Sequence, residues 1–338
     1  ALVQTRIVSV PLLHSAMPFL AAMFMFRIML YLYEMRYSTH KVSLWFRLSY
    51  FFMLPNVSFP LYPIVDLKTY TRNYYNIPYS KIHQDAIKKI FRGITHLIAY
   101  RFIYYYCVPS PVGIEDLSGL LQYIIFSYTL ILRLSGIFHL ALGIVSLFGF
   151  SLPDIFDNYF LSEGFSDLWR RINIYWREFV VKLFYQPLFF KFKKRMSIPL
   201  ALALSILLVF IINWFLHNYQ WFWLQGNIQR KFNDVLFWLV FGVAVMLNSL
   251  YQLKKKPQAV GGRHIRTSFF KILRIYGFFL TMSVLWSLWC AGSLREWIYL
   301  MSFAGNIPSG HLKVYLAIIP LDLVGGIALY RFLQNQSV

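Results

Sequence analysis

A polar and aromatic segment, Phe165–Pro187, and the histidine that ends the next apolar run are the parts of this chain best suited to chemistry. The segment carries the following side chains: Trp169, Arg170, Arg171, Asn173, Trp176, Arg177, Glu178 and Lys182. The run Ser197–Leu216 then presents His217 at or near membrane depth. Ionisable groups at that depth are costly to bury, so they are candidates for function. We expect Asn173 and His217, which are separated by one apolar helix, to converge on one buried site.

An imidazole and an amide together suit the transfer of an acyl group from a thioester to a hydroxyl. That reaction needs a base for the attacking oxygen, and an imidazole fills this role at physiological pH. It also needs a donor for the oxyanion, and an amide NH₂ donates without titrating. We therefore predict that His217 is the general base and that Asn173 is the orienting or oxyanion group. Arg170, Arg171 and Arg177 are predicted to hold the phosphates of a CoA or pantetheine donor, because guanidinium pairs bidentately with phosphate.

Each of these assignments has a structural alternative. His217 at a helix end is also consistent with a capping or interfacial residue. Asn173 is also consistent with a residue that satisfies backbone groups near a helix start. The three arginines are also consistent with interfacial anchors that extend toward the headgroups. Arg133 and His139, which lie in another apolar run, either line a polar interior or pair with Asp154 or Asp157.

The composition places these residues in a membrane protein. The chain has 338 residues, of which 58% are hydrophobic and 14% are charged, whereas soluble domains carry about 25% charged residues. We predict one all-α, polytopic integral-membrane domain over residues 1–338, with no nucleic-acid partner. The net charge of +20 is spread between apolar runs, which indicates retention on the inner side and contact with membrane lipid. The sequence begins with Ala1, which leaves open whether residues precede it.

The apolar runs predict the membrane spans, which need about 20 residues each. The clearest are Ser197–Leu216, Asp234–Leu253, Phe269–Ala291 and Lys313–Phe332. Less regular candidates are Val8–Leu32, the proline-interrupted Val42–Val65, and Gly119–Leu152. The last of these is either one long tilted helix or two segments that break near Gly143–Gly149. Ser293–Pro308 is predicted to be a short interfacial or re-entrant piece. Basic loops on one side of the four clear spans predict that this side is cytoplasmic.

The residues that carry the chemistry also resemble a known family. The stretch FSDLWRRINI, which begins at Phe165, resembles the F-x-x-F-W-R-R-W-[HN]-I pattern of the membrane-bound O-acyltransferases. The stretch FIINWFLH, which ends at His217, resembles the apolar helix that presents the family's active-site histidine. The stretch FPLYPIV, which begins at Phe59, is similar to the family's proline-rich upstream segment. The resemblance covers most of the chain, from Phe51 to Asn306.

The resemblance implies a fold, a reaction and a set of partners. The fold would be a bundle of about 8–11 transmembrane and re-entrant helices around a central tunnel. The reaction would use acyl-CoA or an acyl carrier as cosubstrate, with no bound cofactor and no metal, and would acylate a hydroxyl of a polysaccharide, lipid or peptide; an amine acceptor stays open. The catalytic pair would be His217 and Asn173. The donor-binding or tunnel residues would be Trp169, Arg170, Arg171, Trp176 and Arg177.

Location and partners follow from the same resemblance. A bacterial chain would lie in the inner membrane, with an extracytoplasmic transferase as a further partner; a eukaryotic one would lie in the endoplasmic reticulum. Two other classes of function stay open. One is a transporter or channel whose intramembrane polar residues line a path, although no paired halves with matching broken helices are visible. The other is a non-catalytic membrane scaffold for a partner enzyme.

Overall fold

The computed structural model describes residues 26–36, 42–52, 65–225, 231–254 and 264–307, and within these ranges the chain is helical without a β-strand. Tyr74 and Phe150 form an isolated antiparallel bridge. The helices are α1 (26–36), α2 (Leu44–Phe52), α3 (Leu67–Arg72), α4 (Tyr79–Tyr106), α5 (Leu117–Thr129), α6 (Leu132–Ser146), α7 (Phe165–Arg171), α8 (Ile174–Val180), α9 (Gln186–Lys193), α10 (Ile198–Gln225), α11 (Phe232–Lys254), α12 (His264–Cys290) and α13 (Leu294–Ser302). The all-α class is therefore confirmed for the described part of the chain.

Four helical stretches in the described ranges are long and apolar enough to cross a membrane. They are Leu117–Ser146, Ile198–Tyr219, Phe232–Lys254 and Phe270–Cys290. The last three agree with predicted spans to within a few residues, so the membrane character of the chain is confirmed. The fourth clear span, Lys313–Phe332, lies outside the described residues, as do most of Val8–Leu32 and the prolines of Val42–Val65. The short α13 lies where an interfacial piece was expected.

The long run Gly119–Leu152 forms two helices, but the predicted position of the break is wrong. The interruption falls at Leu130 and Ile131, between α5 and α6. The Thr129 hydroxyl donates to the carbonyl of Phe126 over 2.8 Å, and such back-bonding competes with the helical ladder and bends helices. Gly143 lies within α6 without breaking it, and Gly149, which has a φ of +92°, follows the end of α6 at Ser146.

The described residues divide into two compact units. The first is drawn from Ala1–Tyr100, Ile131–Asp157 and Trp169–Lys231, and the second from Arg101–Leu130, Asn158–Leu168 and Phe232–Val338. In the second unit, Asn233 on α11 donates to the carbonyls of Leu288 and Ala291 on α12, each over 3.2 Å. The Trp289 indole donates to Asp234 over 2.7 Å. These polar contacts join α11 to α12 within an otherwise apolar packing.

In the first unit, glycines bring α4 and α6 into backbone contact. A Cβ on Gly93 would lie 2.6 Å from the backbone nitrogen of Leu140 and 2.9 Å from the carbonyl oxygen of Gly136. Next to this crossing, the Ser135 hydroxyl lies 3.0 Å from His96 Nδ1 and 3.3 Å from His139 Nδ1. The glycines thus set the distance between α4 and α6, and the buried hydroxyl of Ser135 on α6 pairs with His96 on α4.

The acidic residues near this crossing form ion pairs with basic residues that the sequence analysis did not consider. Asp154 lies 3.5 Å from Lys89 and 3.4 Å from Arg92. Asp157 lies 3.6 Å from Arg171. Arg133 instead sits 5.7 Å from the centroid of the Tyr100 ring, which is a cation–π distance. Arg133 therefore contacts the Tyr100 ring, whereas Asp154 interacts electrostatically with His139, as one of the pairings considered from the sequence expects.

The close helix crossing predicts opposite effects for the same substitution at two helical glycines. Gly93→Ala should destabilise the protein by about 1–3 kcal/mol, because the new methyl group meets backbone atoms that cannot move aside. Gly277→Ala on α12 meets nothing within 4 Å and should stabilise by about 0.5–1 kcal/mol through lower backbone entropy of the unfolded chain. Thermal unfolding of both variants in detergent checks this. Equal midpoints for the two variants would contradict the close approach of α4 and α6.

Candidate active site

The segment predicted to carry the chemistry folds as two short helices with Asn173 at the joint. Asn173 has φ 42° and ψ 59°, in the left-handed region, directly before α8. Among residues with a Cβ, Asn tolerates this conformation best. The turn is held on both sides, because Ile174 N donates to Ile155 O over 2.8 Å and Asp157 N donates to Arg171 O over 2.9 Å. The backbone of this joint is therefore fixed by the segment that precedes α7.

The side chain of Asn173 does not serve the helix start. It makes no capping hydrogen bond to α8, so the structural alternative considered from the sequence is wrong. Its Oδ1 is buried and has no hydrogen-bond partner among the described residues. A buried acceptor without a partner costs about 1–3 kcal/mol. The amide is thus positioned by a fixed backbone, with its oxygen unused by the fold.

Trp176, one turn into α8, connects this segment to α10. Its side chain is 4% exposed and packs edge-on against Phe26, with ring centroids 5.0 Å apart. The indole N–H donates a hydrogen bond to Oδ1 of Asn213. The same ring lies 5.2 Å from the imidazole of His217. The predicted site residues Trp176 and His217 are therefore brought together by the fold, and Asn213 joins them.

Asn213 is the site residue that the sequence prediction missed. It lies four residues before His217 on α10, so the two side chains project from one face of the helix, about 5–6 Å apart at Cβ. Asn213 is fully buried, with 0% exposure. The available signal was a lone amide in an otherwise apolar run, one helical turn from the histidine. Sequence alone did not show that the indole of Trp176 would meet it.

Trp169 also faces α10, but through apolar packing. Its ring centroid lies 4.8 Å from that of Phe210. It borders the buried cluster formed by Phe26, Leu30, Trp176, Phe179, Val180, Val209 and Leu216. Two tryptophans of the motif therefore contact α10 at points about one to two turns apart. The cluster also encloses the site in apolar side chains from α1, α8 and α10.

The three arginines of the motif have local contacts. Arg171 pairs with Asp157 and also donates to its carbonyl over 3.3 Å. Arg177 donates to the carbonyl of Arg170 over 2.9 Å and lies 3.3 Å from Glu178. Arg170 is exposed. Ion pairs near the surface, such as these, contribute about 0–1 kcal/mol to stability. A phosphate could therefore replace the carboxylates at little cost in free energy. Donor binding by these arginines stays a prediction.

A half-buried ion triad supports the end of the motif. Residues Val181–Tyr185 form a π-helical turn, a feature frequent at functional sites. Within it, Lys182 Nζ lies 2.7 Å from Glu34 Oε1 and 3.1 Å from Asp66 Oδ2. Thr69 N also donates to Asp66 over 2.6 Å. The triad ties the π-helical turn to α1 and to the start of α3.

The charges in this triad shift the pKa values of Asp66 and Lys182. Burial favours the neutral form of Asp66, but the hydrogen bonds from Thr69 and the charge of Lys182 outweigh it and lower the pKa of the carboxyl. Burial alone would lower the pKa of Lys182, yet its hydrogen bond to Glu34 and the charges of Asp66 and Glu34 raise it. Both shifts mean that the ionised triad is favoured in the folded state.

A shallow cleft opens beside the triad. It has about 290 Å³ of empty space, including its mouth, and is lined in part by Tyr175, Glu178, Phe179 and Lys182. Phe179 also packs against Trp176, with ring centroids 5.5 Å apart. One side chain therefore separates this cleft from the tryptophan that contacts His217.

Comparison with known proteins adds no assignment: no protein-family model and no curated protein matches this sequence. The likeness to membrane-bound O-acyltransferases therefore stays a hypothesis that depends on the motif residues and on the contacts just described.

The triad predicts a pH-dependent loss of stability when Lys182 is replaced. Lys182→Met should destabilise the protein by roughly 1–3 kcal/mol at pH 7, because Glu34 and Asp66 remain charged without their partner. The stabilisation from Asp66 is present above its unfolded pKa of about 4 and is lost as the pH falls through the lower folded value. The difference in thermal midpoint between wild type and variant should therefore shrink toward pH 3. A difference that is constant from pH 7 to pH 3 would contradict this role.

Proposed function

We propose that this chain is a membrane-bound acyltransferase of the membrane-bound O-acyltransferase type. It would transfer an acyl group from a thioester, acyl-CoA or an acyl carrier, to a hydroxyl of a polysaccharide, lipid or peptide. The observation that carries this proposal is the contact of Trp176 with both Asn213 and His217. The two segments that sequence reasoning selected for the same reaction are thus packed against each other, although His217 follows Trp176 by 41 residues.

His217 is the proposed general base for the attacking hydroxyl. Its imidazole packs at a tilt against the ring of Trp176 near the end of a candidate span. Asn173 is the proposed orienting or oxyanion group. The buried Oδ1 without a partner supports the orienting role, because an amide oxygen can accept a hydrogen bond from a donor group of a substrate other than the attacking hydroxyl. A left-handed residue that the flanking backbone holds in place is also typical of catalytic positions.

The surroundings of these groups favour charge stabilisation in the reaction. Phe26, Trp176 and Phe179 pack edge-on or tilted around the site and exclude water from it. In such an environment, fixed dipoles act more strongly on a developing oxyanion than they would in water. Arg170, Arg171 and Arg177 are the proposed partners of the donor's phosphates, since they lie at or near the surface on the same motif.

The proposed function predicts that turnover depends on His217. His217→Ala should lower thioester consumption by about 10²–10⁴-fold, because the base for the attacking oxygen is removed. Release of free thiol by purified protein in nanodiscs measures this, with acetyl-CoA and a long-chain acyl-CoA offered separately and with a polysaccharide, a lipid and a peptide each supplied as the hydroxyl acceptor. Asn173→Ala should also lower turnover, since the orienting amide is removed.

The matched control is His83→Ala, which removes a half-buried histidine on α4 from outside the proposed site. It should retain wild-type turnover. Turnover that survives His217→Ala would remove that residue as the base. Absence of thiol release by the wild type with every donor, including an acyl carrier, would reject acyl transfer and return the function to a transporter or a scaffold.

A further inference from the structure

The amide of Asn213 has a fixed orientation. Trp176 Nε1–H is a donor only, so the atom of Asn213 that it meets is the oxygen, Oδ1. The amide nitrogen, Nδ2, therefore points away from the indole. This nitrogen is buried and has no acceptor among the residues that the structure describes. Asn213 thus offers N–H groups whose direction is set by Trp176 and which the described fold does not use.

Leaving these donors without an acceptor is costly. A buried N–H without a partner costs about 1–3 kcal/mol, and such groups in native proteins call for a specific explanation. The contrast within the chain is Asn233, another buried asparagine, whose Nδ2 donates to two carbonyls. A fold that gives Nδ2 of Asn233 two acceptors and leaves Nδ2 of Asn213 open indicates an acceptor that arrives with a substrate.

We propose that Asn213 Nδ2 donates to the acyl carbonyl oxygen of the thioester and stabilises the oxyanion that forms there. This inference rests on the proposed acyltransferase function and makes Asn213 a catalytic residue beside His217. The two residues lie one helical turn apart, so their functional groups can bracket one carbon atom. The attacking oxygen then lies on the side of His217 and the oxyanion on the side of Asn213.

The chemical step is balanced with these two groups. The acceptor hydroxyl oxygen forms a bond to the thioester carbon as its proton passes to His217. The C=O electron pair moves onto the oxygen, where the Asn213 N–H group holds it. Collapse of the tetrahedral intermediate breaks the C–S bond, and the thiolate takes the proton from His217. The products are an ester and a free thiol, with no other reactant consumed.

The test removes the N–H donors of Asn213 and keeps an acceptor for the Trp176 indole. Asn213→Asp retains an acceptor for the Trp176 indole but removes both N–H donors, and Asn213→Ala is the second variant in case a buried carboxyl prevents folding. Each should lower kcat for thioester consumption by about 10²–10³-fold. The KM for the donor should change by less than about threefold, since the interaction forms in the transition state. The shape of the pH–rate profile should be unchanged, because His217 is intact.

The control is Asn233→Ala, which removes a buried amide that only holds α11 to α12. It should lower the thermal midpoint and leave kcat per folded molecule unchanged. A kcat within about threefold of wild type in both Asn213 variants, with His217→Ala inactive, would overturn this inference and leave the proposed function standing. An equal loss of kcat in Asn233→Ala and the Asn213 variants would also overturn it, as a structural effect. Failure of the wild type to consume any thioester would overturn the proposed function and this inference with it.

Discussion

The hydrogen bond from the Trp176 indole to Asn213 is the interaction on which the site depends. It joins α8 to α10 through two side chains that are both almost fully buried. In apolar surroundings, loss of either partner leaves a polar group without a substitute from water, so the bond is costly to break. It also fixes three things together: the ring that faces His217, the orientation of the Asn213 amide, and the distance of the motif from α10.

The rest of the first unit supports this bond at its ends. The left-handed turn at Asn173 sets where α8 begins, and backbone hydrogen bonds from Ile155 and Asp157 hold that turn. Lys182, paired with Glu34 and Asp66, fixes the π-helical turn where α8 ends. A short helix of two turns has little stability of its own. Its position must come from such contacts, and they come from segments distant in the sequence.

The helices that could be predicted from the sequence are those whose signal is the length of an apolar run. Ser197–Leu216, Asp234–Leu253 and Phe269–Ala291 were located from apolar content because the bilayer demands about 20 such residues. The break at Leu130 was not predictable in the same way, since no proline or glycine stands at it. Trp176 and His217, which the sequence analysis selected for different roles, lie against each other in the structure, while those roles stay a prediction. Asn213 was not selected, because a single amide in an apolar run shows its importance only through a partner on another helix.

The unused polar atoms at this site are better explained by function than by folding. Oδ1 of Asn173 and Nδ2 of Asn213 are both buried without a partner among the described residues, and both belong to segments that Trp176 joins. One is an acceptor and the other a donor, so each can pair with a substrate group of the opposite kind. The fold gains no stability from the unpaired atom of either amide. Such a loss of stability is expected at a site that needs these atoms for a reaction.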